Sequence, residues 1–185
     1  MDFTVVNKET EKTFEELLRR IHRLQSGGTL DSLKDIGAST EKQIGASYVS
    51  LKQLANSYEP NEQLAWLLWN KQKREEQIIA CMLFPPDMNK EKITQLSKSC
   101  LNSEIAGYLG SLYLYKHPEL EKVIPEWMDT EIPFLQLATL TAMARHLIIY
   151  KDKSQISKEF FQNIINKNYK DKEVRLAAER YRFNI

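Results

Sequence analysis

The residues of this chain that could carry chemistry are few, and their spacing matches no strong catalytic or metal-binding motif. The sequence has no glycine-rich nucleotide or phosphate loop, no HExxH pair, no GxSxG elbow and no CxxC pair. His22, His117 and His146 are far apart and have no acidic or thiolate residue at ligand spacing. We therefore expect no metal and no cofactor, and we interpret each histidine as a surface or partly packed side chain.

The two cysteines fit a structural role. Cys81 lies in the apolar segment IIACMLF, so we expect it in the core; a catalytic role would require a neighbouring base. Cys81 and Cys100 alone make neither a disulfide framework nor a zinc site. A reducing cytoplasm is the simplest setting for such a chain.

Acidic and aromatic residues also fit structural roles. Glu75 and Glu76 stand at the start of a predicted helix, where carboxylates suit the helix dipole. Trp66 and Trp69 are three residues apart and partly share a helix face. We favour the core for these two and for Trp127, with the lining of a groove as the alternative.

Positive charge is concentrated in two places, although the chain carries 26 basic and 25 acidic residues and a net charge of only +1. Such a balance does not hold a protein on nucleic acid or membrane by its overall charge. Residues 151–185 contain nine basic and five acidic residues, whereas residues 27–150 contain 12 and 15. The basic end could neutralise DNA phosphates or could be a solvated helix face. A second cluster, Lys71 to Arg74, precedes a predicted helix, where lysines can contact phosphate.

Helical periodicity dominates the elements that must position these residues. Near the N-terminus, apolar residues step by three and four along one stripe, and Gly27-Gly28 is expected to end that helix. Further helices are predicted in residues 47–58, in 62–70 with a start at Pro60, and in 74–84. The next is capped by Asp87 or Asn89 and runs toward Cys100, and the last ones are predicted in 103–116, 118–127, 133–151, 158–168 and 172–182. Alternation in LYLY leaves a strand as the alternative at 112–115, but no valine-, isoleucine- or threonine-rich strand with hairpin turns occurs.

The fold class that follows is all-α, with about ten to twelve helices. Helix pairs begin near Lys73, Ser103 and Pro133, about 30 residues apart each time, which is typical of a helical repeat. We predict antiparallel helix pairs stacked as a HEAT-like (ARM-type) α-solenoid superhelix, with a single irregular bundle as the alternative. The predicted single domain spans residues 1–185, with capping helices in 1–44 and the repeat array in 45–185.

The distribution of apolar residues predicts neither a membrane-spanning helix nor a secretory signal peptide. No run approaches 18 consecutive apolar residues, and the N-terminus has no basic segment followed by an apolar one. We expect a monomeric cytoplasmic protein with no membrane partner.

Residues 47–83 carry a family resemblance. A short helix ends in Leu54-Ala55, a second ends in Leu68-Trp69, and a basic loop then leads to Glu75 and, five residues on, Ala80. This pattern resembles the DNA alkylation repair family of HEAT-like-repeat DNA glycosylases. The segment EWMDTEIPFLQLATLTAMARHL resembles the family's tryptophan helix and the long apolar helix after it, and KDKEVRLAAERYR resembles its closing helix. Together these segments cover roughly residues 45–182.

The resemblance implies a curved solenoid with a basic concave face that holds duplex DNA. In active members a Trp and an Asp on one helix, an Arg on a later helix and a late Trp meet the damaged nucleotide. The carboxylate would stabilise an oxocarbenium-like sugar as the alkylated base leaves.

At the positions of the family's catalytic residues, this chain has other residues. The family's Trp position falls near Ser103 or Glu104 and its Asp position on Gly107 or Tyr108. Its Arg pair falls on Gln136-Leu137, and the late Trp position falls near Glu179-Arg180, while Arg175 matches a recurring Arg. We therefore predict a divergent member without the usual catalytic residues.

Three hypotheses follow for function. The first is a DNA-repair-family protein that binds duplex DNA, with residual or altered glycosylase activity. The second is a non-catalytic helical-repeat scaffold for a protein partner, which the negative balance of residues 27–150 favours; the third is a different enzyme, for which no constellation is visible. The first predicts that one groove is lined by a set of candidate nucleic-acid-binding residues: Lys71, Lys73, Arg74, Tyr108, Gln136, Arg175 and Arg180.

Overall fold

The computed structural model describes residues 7–35 and 40–184 of the chain, and within them the fold is all-helical. Eleven α-helices lie in these residues, and no strand does. In chain order they are α1 (Lys8–His22), α2 (Gly27–Asp35), α3 (Tyr48–Ala55), α4 (Glu62–Trp69), α5 (Arg74–Leu83), α6 (Lys90–Lys98), α7 (Ser103–Tyr108), α8 (Leu120–Met128), α9 (Pro133–Tyr150), α10 (Lys158–Ile165) and α11 (Lys172–Asn184). The all-α prediction and the predicted number of helices are confirmed.

The helices form two compact units, residues 1–85 and residues 86–185. Stacking of the repeats as a solenoid and the single-domain organisation stay predictions. The predicted capping segment 1–44 includes residues 1–6 and 36–39, which lie outside the described residues. No helix among the described residues is both long and apolar enough to cross a membrane.

In the first unit, α5 packs on α4, α3 and α1. Trp66 and Trp69 are both buried, and the ring of Phe84 meets each of them edge-on. The indole Nε1 of Trp66 donates to Glu62 at 3.2 Å, so its polar atom is satisfied inside the packing. These two tryptophans are core residues, as predicted.

In the second unit, α9 is the central helix. It packs against α6, α7, α8, α10 and α11, and leucines and alanines make up most of its buried positions. Because alanine side chains are short, neighbouring helices can approach the backbone of α9 closely. Trp127 of α8 is also buried, which confirms its predicted place in the core.

Helix starts follow the capping residues in the sequence. Asn61, Asn89 and Asn102 each accept a hydrogen bond from the backbone N–H three residues on, at 2.9–3.1 Å. Pro133 occupies the first turn of α9, where a missing N–H costs nothing. Each asparagine satisfies a backbone donor that would otherwise be unpaired, so these boundaries are fixed locally.

Two sequence expectations need correction in detail. α1 ends at His22, and Gly27-Gly28 open α2 instead of ending α1. Ser26 explains this, because its Oγ accepts from the Thr29 N–H at 3.4 Å and so caps the following helix. At 109–116 the chain is neither strand nor regular α-helix: α7 passes into a π-helical turn at Leu109–Tyr113 and a 3₁₀ turn at Leu114–Lys116.

Candidate nucleic-acid interface

A cleft of about 370 Å³ opens between α7, α9 and α11 in the second unit, and we call it the α7–α11 cleft. Each of the three helices contributes polar side chains to its wall. The lining residues are Ser103, Glu104, Gly107 and Tyr108 from α7, Leu137 and Thr141 from α9, and Glu173, Ala177, Arg180 and Tyr181 from α11. Its volume suits a group the size of a nucleotide base or a side chain.

Glycine sets the distance between α9 and the π-helical turn that follows α7. A Cβ on Gly110 would lie 2.2 Å from the Ala138 carbonyl oxygen, so no other residue fits at this crossing without a backbone shift. A Cβ on Gly107 would meet nothing within 4 Å, because this position faces the open cleft. One glycine therefore allows close packing, while the other leaves room in the cleft.

The cleft face of α11 follows helical spacing. Glu173, Ala177, Arg180 and Tyr181 stand at i, i+4, i+7 and i+8, so they share one face of the helix. The Tyr181 hydroxyl donates to Thr141 Oγ1 at 3.3 Å and ties this face to α9. The polar wall of α11 is thus held against the central helix.

The cleft carries both signs of charge. Arg180 supplies a cation, and Glu104 and Glu173 supply carboxylates; all three are exposed. Tyr108 and Tyr181 add two half-buried rings. A guanidinium can contact a phosphate and an aromatic ring can stack on a base, whereas carboxylates repel phosphate and attract cationic groups.

The structure brings two of the candidate residues, Tyr108 and Arg180, to the cleft. The other two candidates of this unit are engaged elsewhere. Gln136 donates through Nε2 to the carbonyls of Met128 and Thr130, at 3.0 and 2.7 Å, and so closes the C-terminal end of α8.

Arg175 has a similar role beside α11. Its Nη1 donates to the carbonyls of Tyr169 and Lys170, at 3.2 and 2.7 Å, and holds the loop before the helix. Its contact with nucleic acid stays a prediction, as does that of Gln136.

Gln136 lines a second cavity, of about 550 Å³, between the 128–136 segment and the 167–171 loop. Exposed ion pairs join the two sides, Lys167 with Asp129 at 3.1 Å and Lys170 with Glu131 at 3.0 Å. Tyr169 lies in the same wall, where burial, helped by the negative charge of Asp129, raises the pKa of its phenol to about 12. Lys167 and Lys170 on this side of the unit are thus paired with carboxylates of the 128–136 segment.

The side chains of the basic loop of the first unit differ in their exposure to solvent. Lys71 is exposed and Lys73, the N-cap residue of α5, is half-buried. Arg74 is largely buried: its guanidinium donates to the Ala46 carbonyl at 3.2 Å and pairs with Glu75 at 3.4 Å. Lys71 and Lys73 are therefore the better candidates for phosphate contact in this loop.

Backbone geometry in the loop is unusual at Gln72, which has a φ of 53°. Only glycine, asparagine and aspartate adopt this left-handed region readily. Its side-chain amide donates to the Trp69 carbonyl at 3.3 Å, which helps to hold the turn between the two lysines.

Glu75 and Glu76 do more than complement a helix dipole, because both are buried. The carboxylate of Glu75 accepts from the N–H groups of Ile44 and Ala46, both at 3.2 Å, and fixes the segment before α3. Burial raises the pKa of Glu76 above its usual value, against the lowering effects of its backbone hydrogen bond, Lys73 and His22.

The histidines and cysteines show no arrangement for catalysis among the described residues. His117 donates through Nε2 to the Met88 carbonyl at 3.1 Å, since its Nδ1 accepts from the Glu119 N–H. Cys81 and Cys100 are buried, and burial raises the pKa of the Cys100 thiol to about 12. Across residues 7–35 and 40–184, no three His, Cys, Asp or Glu side chains are grouped closely enough to hold a metal ion.

Sequence reasoning did not single out Glu173, Thr141 or Tyr181 as part of this site. The spacing of Glu173, Ala177 and Arg180 on α11 was a usable signal, because it places a carboxylate beside a predicted binding residue. Thr141 could not be found this way, since only the packing of α9 against α7 and α11 brings it to the cleft.

Comparison with known proteins adds one match. The family model described as DNA alkylation repair enzyme matches residues 17–177, which include α7, α9 and the first part of α11 and reach upstream into α1. No curated protein and no solved structure matches the chain. Because the match covers most of the sequence, the chain belongs to the DNA alkylation repair enzyme family.

Proposed function

We propose that this protein binds duplex DNA and that the α7–α11 cleft contacts a nucleotide through Tyr108 and Arg180. One observation carries the proposal: in a member of this family, an arginine and a tyrosine from different helices line one open cleft. The guanidinium of Arg180 would contact a phosphate, and the ring of Tyr108 would stack on a base or sugar. Lys71 and Lys73 of the first unit would contribute backbone contacts.

Such contacts do not distinguish one base sequence from another. Phosphate contacts by lysine and arginine fix position and depend strongly on salt, whereas sequence is recognised at base edges. With a net charge of only +1, the protein attracts DNA weakly at long range, so binding rests on these local groups. We expect dissociation constants on the order of 1–100 μM at physiological salt.

The proposal also includes an absence of base excision by the family's usual residues. The matching positions carry Ser103 or Glu104, Gly107 or Tyr108, and Gln136-Leu137 instead of the expected Trp, Asp and Arg. Loss of one group that stabilises the transition state costs about 2.7–4 kcal/mol, or a factor of about 10²–10³ in rate. A protein that lacks three such groups would accelerate base excision only slightly over the uncatalysed rate.

Fluorescence anisotropy with plain and abasic-site duplexes, from low to physiological salt, tests the binding. We expect Arg180→Gln and the pair Lys71→Glu with Lys73→Glu to weaken binding, while Lys12→Glu with Lys52→Glu, exposed lysines of the first unit, gives the matched charge control. Arg74 is left intact because its substitution would disturb the fold. No binding by the unaltered protein at low salt would overturn the proposal.

Excision is tested separately with a duplex that contains one alkylated purine. We expect no release of the base above the uncatalysed rate. Release above the uncatalysed rate would contradict this part, and its loss in a Glu104→Gln or Glu173→Gln variant would identify the carboxylate responsible.

Glu104 and Glu173 support a second candidate function, a scaffold for a protein partner. These carboxylates face the same cleft as Arg180, and such a mixed surface suits complementary protein charges. Absence of DNA binding, together with a stable fold, would favour this function over the first.

A further inference from the structure

A second group of positive charges lies outside the α7–α11 cleft, around the ring of Tyr115. The ammonium of Lys116 is 5.5 Å from the centre of this ring, and the guanidinium carbon of Arg145 is 5.9 Å from it. Both side chains are exposed. We call Lys116 and Arg145 the Tyr115 cation pair.

The backbone of Tyr115 is held by the central helix. His146, next to Arg145 on α9, has its Nδ1 2.8 Å from the Tyr115 carbonyl oxygen, which leaves Nδ1 as the donor. The ring of His146 also packs on Tyr150, with centroids 4.4 Å apart. The carbonyl contact ties the 3₁₀ turn that carries Lys116 to the central helix that carries Arg145.

No carboxylate balances the charge of this pair within the described part of the chain. Neither Lys116 nor Arg145 forms an ion pair there, whereas other exposed lysines, such as Lys90 and Lys167, do. Two cations at one ring repel each other, and the ring's quadrupole offsets only part of this cost. Loss of surrounding water lowers the pKa of Lys116, so an anion here would be favourable for both groups.

We propose that the Tyr115 cation pair is a phosphate-binding site for the backbone of DNA. The inference rests on the proposed function, since it names a second surface of the same protein that touches the same ligand. A guanidinium and an ammonium are the two side-chain groups that bind phosphate best, so each member of the pair can contact a backbone phosphate. It is a contact to the backbone and recognises no base.

The test compares salt dependence. Each phosphate contact adds about 0.9 to the slope of log K against log salt concentration, so Lys116→Gln with Arg145→Gln should make the slope shallower by about 1.8. The control, Lys98→Gln with Lys122→Gln, removes the same charge from exposed lysines of the same unit and should leave the slope unchanged. Thermal unfolding of each variant shows whether the fold is kept.

Acetylation footprinting gives an independent measurement. A bound duplex should protect the Lys116 amine from acetylation relative to Lys98, and inorganic phosphate alone should protect it only at much higher concentration. Equal labelling of Lys116 with and without duplex would overturn the inference.

The outcomes separate the two proposals. If the unaltered protein binds DNA and Arg180→Gln weakens binding, but the pair variant keeps the full slope, the inference is wrong and the proposed function stands. If the unaltered protein does not bind DNA at any salt concentration, both are wrong.

Discussion

At the scale of single residues, Glu76 gives a prediction for the pH dependence of stability. Its folded-state pKa is raised by burial, so the folded protein holds this proton more tightly than the unfolded chain. Stability therefore falls as pH rises from about 4.5, the unfolded value, through the raised pKa. Glu76→Gln keeps the shape without the charge, so we expect it to be more stable than the unaltered protein at neutral pH.

Urea unfolding at several pH values checks this. The stability advantage of Glu76→Gln should grow as pH rises above 4.5 and should shrink below it. Lys73 and His22 act in the opposite direction by favouring the charged carboxylate. A variant less stable at neutral pH would mean that these cations outweigh burial.

Glu75 yields a second prediction at this scale. Removing its carboxylate would leave the N–H groups of Ile44 and Ala46 without acceptors and would remove the ion-pair partner of Arg74. We expect Glu75→Ala to reduce the free energy of unfolding by about 3–5 kcal/mol, measured by chemical denaturation. Glu11→Ala, which alters an exposed acid in the first turn of α1, should cost less than about 1 kcal/mol; equal losses would contradict this role for Glu75.

Individual site residues were only partly predictable from the sequence. Tyr108 and Arg180 share one cleft, and the family resemblance was enough to single them out, because Tyr108 stands at or beside the family's Asp position and Arg180 near its late Trp position. Gln136 and Arg175 show why the rest could not be predicted. Their side chains donate to backbone carbonyls of neighbouring loops, and sequence spacing does not show where those carbonyls lie.

At the scale of helices, the two glycines near the end of α7 give a matched pair of substitutions. Gly107→Ala places a methyl group in open space within a helix, so we expect a gain of about 0.5–1 kcal/mol in the free energy of unfolding. Gly110→Ala forces a Cβ into the Ala138 carbonyl, so we expect a loss of about 1–3 kcal/mol. Thermal or urea unfolding of both variants measures the difference, and similar values for the two would contradict the close approach of α7 and α9.

Helix boundaries were largely predictable, because capping is local. Pro133 stands at the predicted start of α9, and Asn89, one of the two predicted caps, precedes α6. At α4 the prediction that the helix starts at Pro60 is wrong by two residues, because Asn61 caps a helix that begins at Glu62. The expectation for Gly27-Gly28 is wrong because glycine both ends and begins helices, and Ser26 decides between the two. The π-helical turn after α7 was not predictable, since it depends on packing against α9.

At the scale of the whole molecule, the positive and negative charges nearly balance. The affinity for DNA therefore depends on the number of local contacts with phosphates. Five cations are candidates for phosphate contact, Lys71 and Lys73 of the first unit and Lys116, Arg145 and Arg180 of the second. At about 0.9 per contact, we expect a slope of log K against log salt concentration of about −4 to −5. Anisotropy titrations over a range of salt concentrations measure it, and a slope near zero would show that backbone phosphates are not the ligand.

The all-α fold class was predictable at this scale because helical periodicity repeats along the whole chain. The arrangement of the repeats and the location of a cleft were not predictable, because they depend on contacts between residues that are distant in sequence. The family could also be predicted, because its pattern lies in local helix motifs such as Leu68-Trp69 and the basic loop after it. Activity is set by a few side chains and does not follow from the fold.

The close approach at Gly110 limits how this part of the molecule can move. With backbone against backbone at this crossing, the π-helical turn after α7 cannot slide along α9 without collision, so shear motion is blocked there. A ligand that enters the α7–α11 cleft must be accommodated by rotamer changes of Tyr108 and Arg180 or by displacement of α11. The wall formed by α7 and α9 keeps its shape, and a ligand has to fit against it.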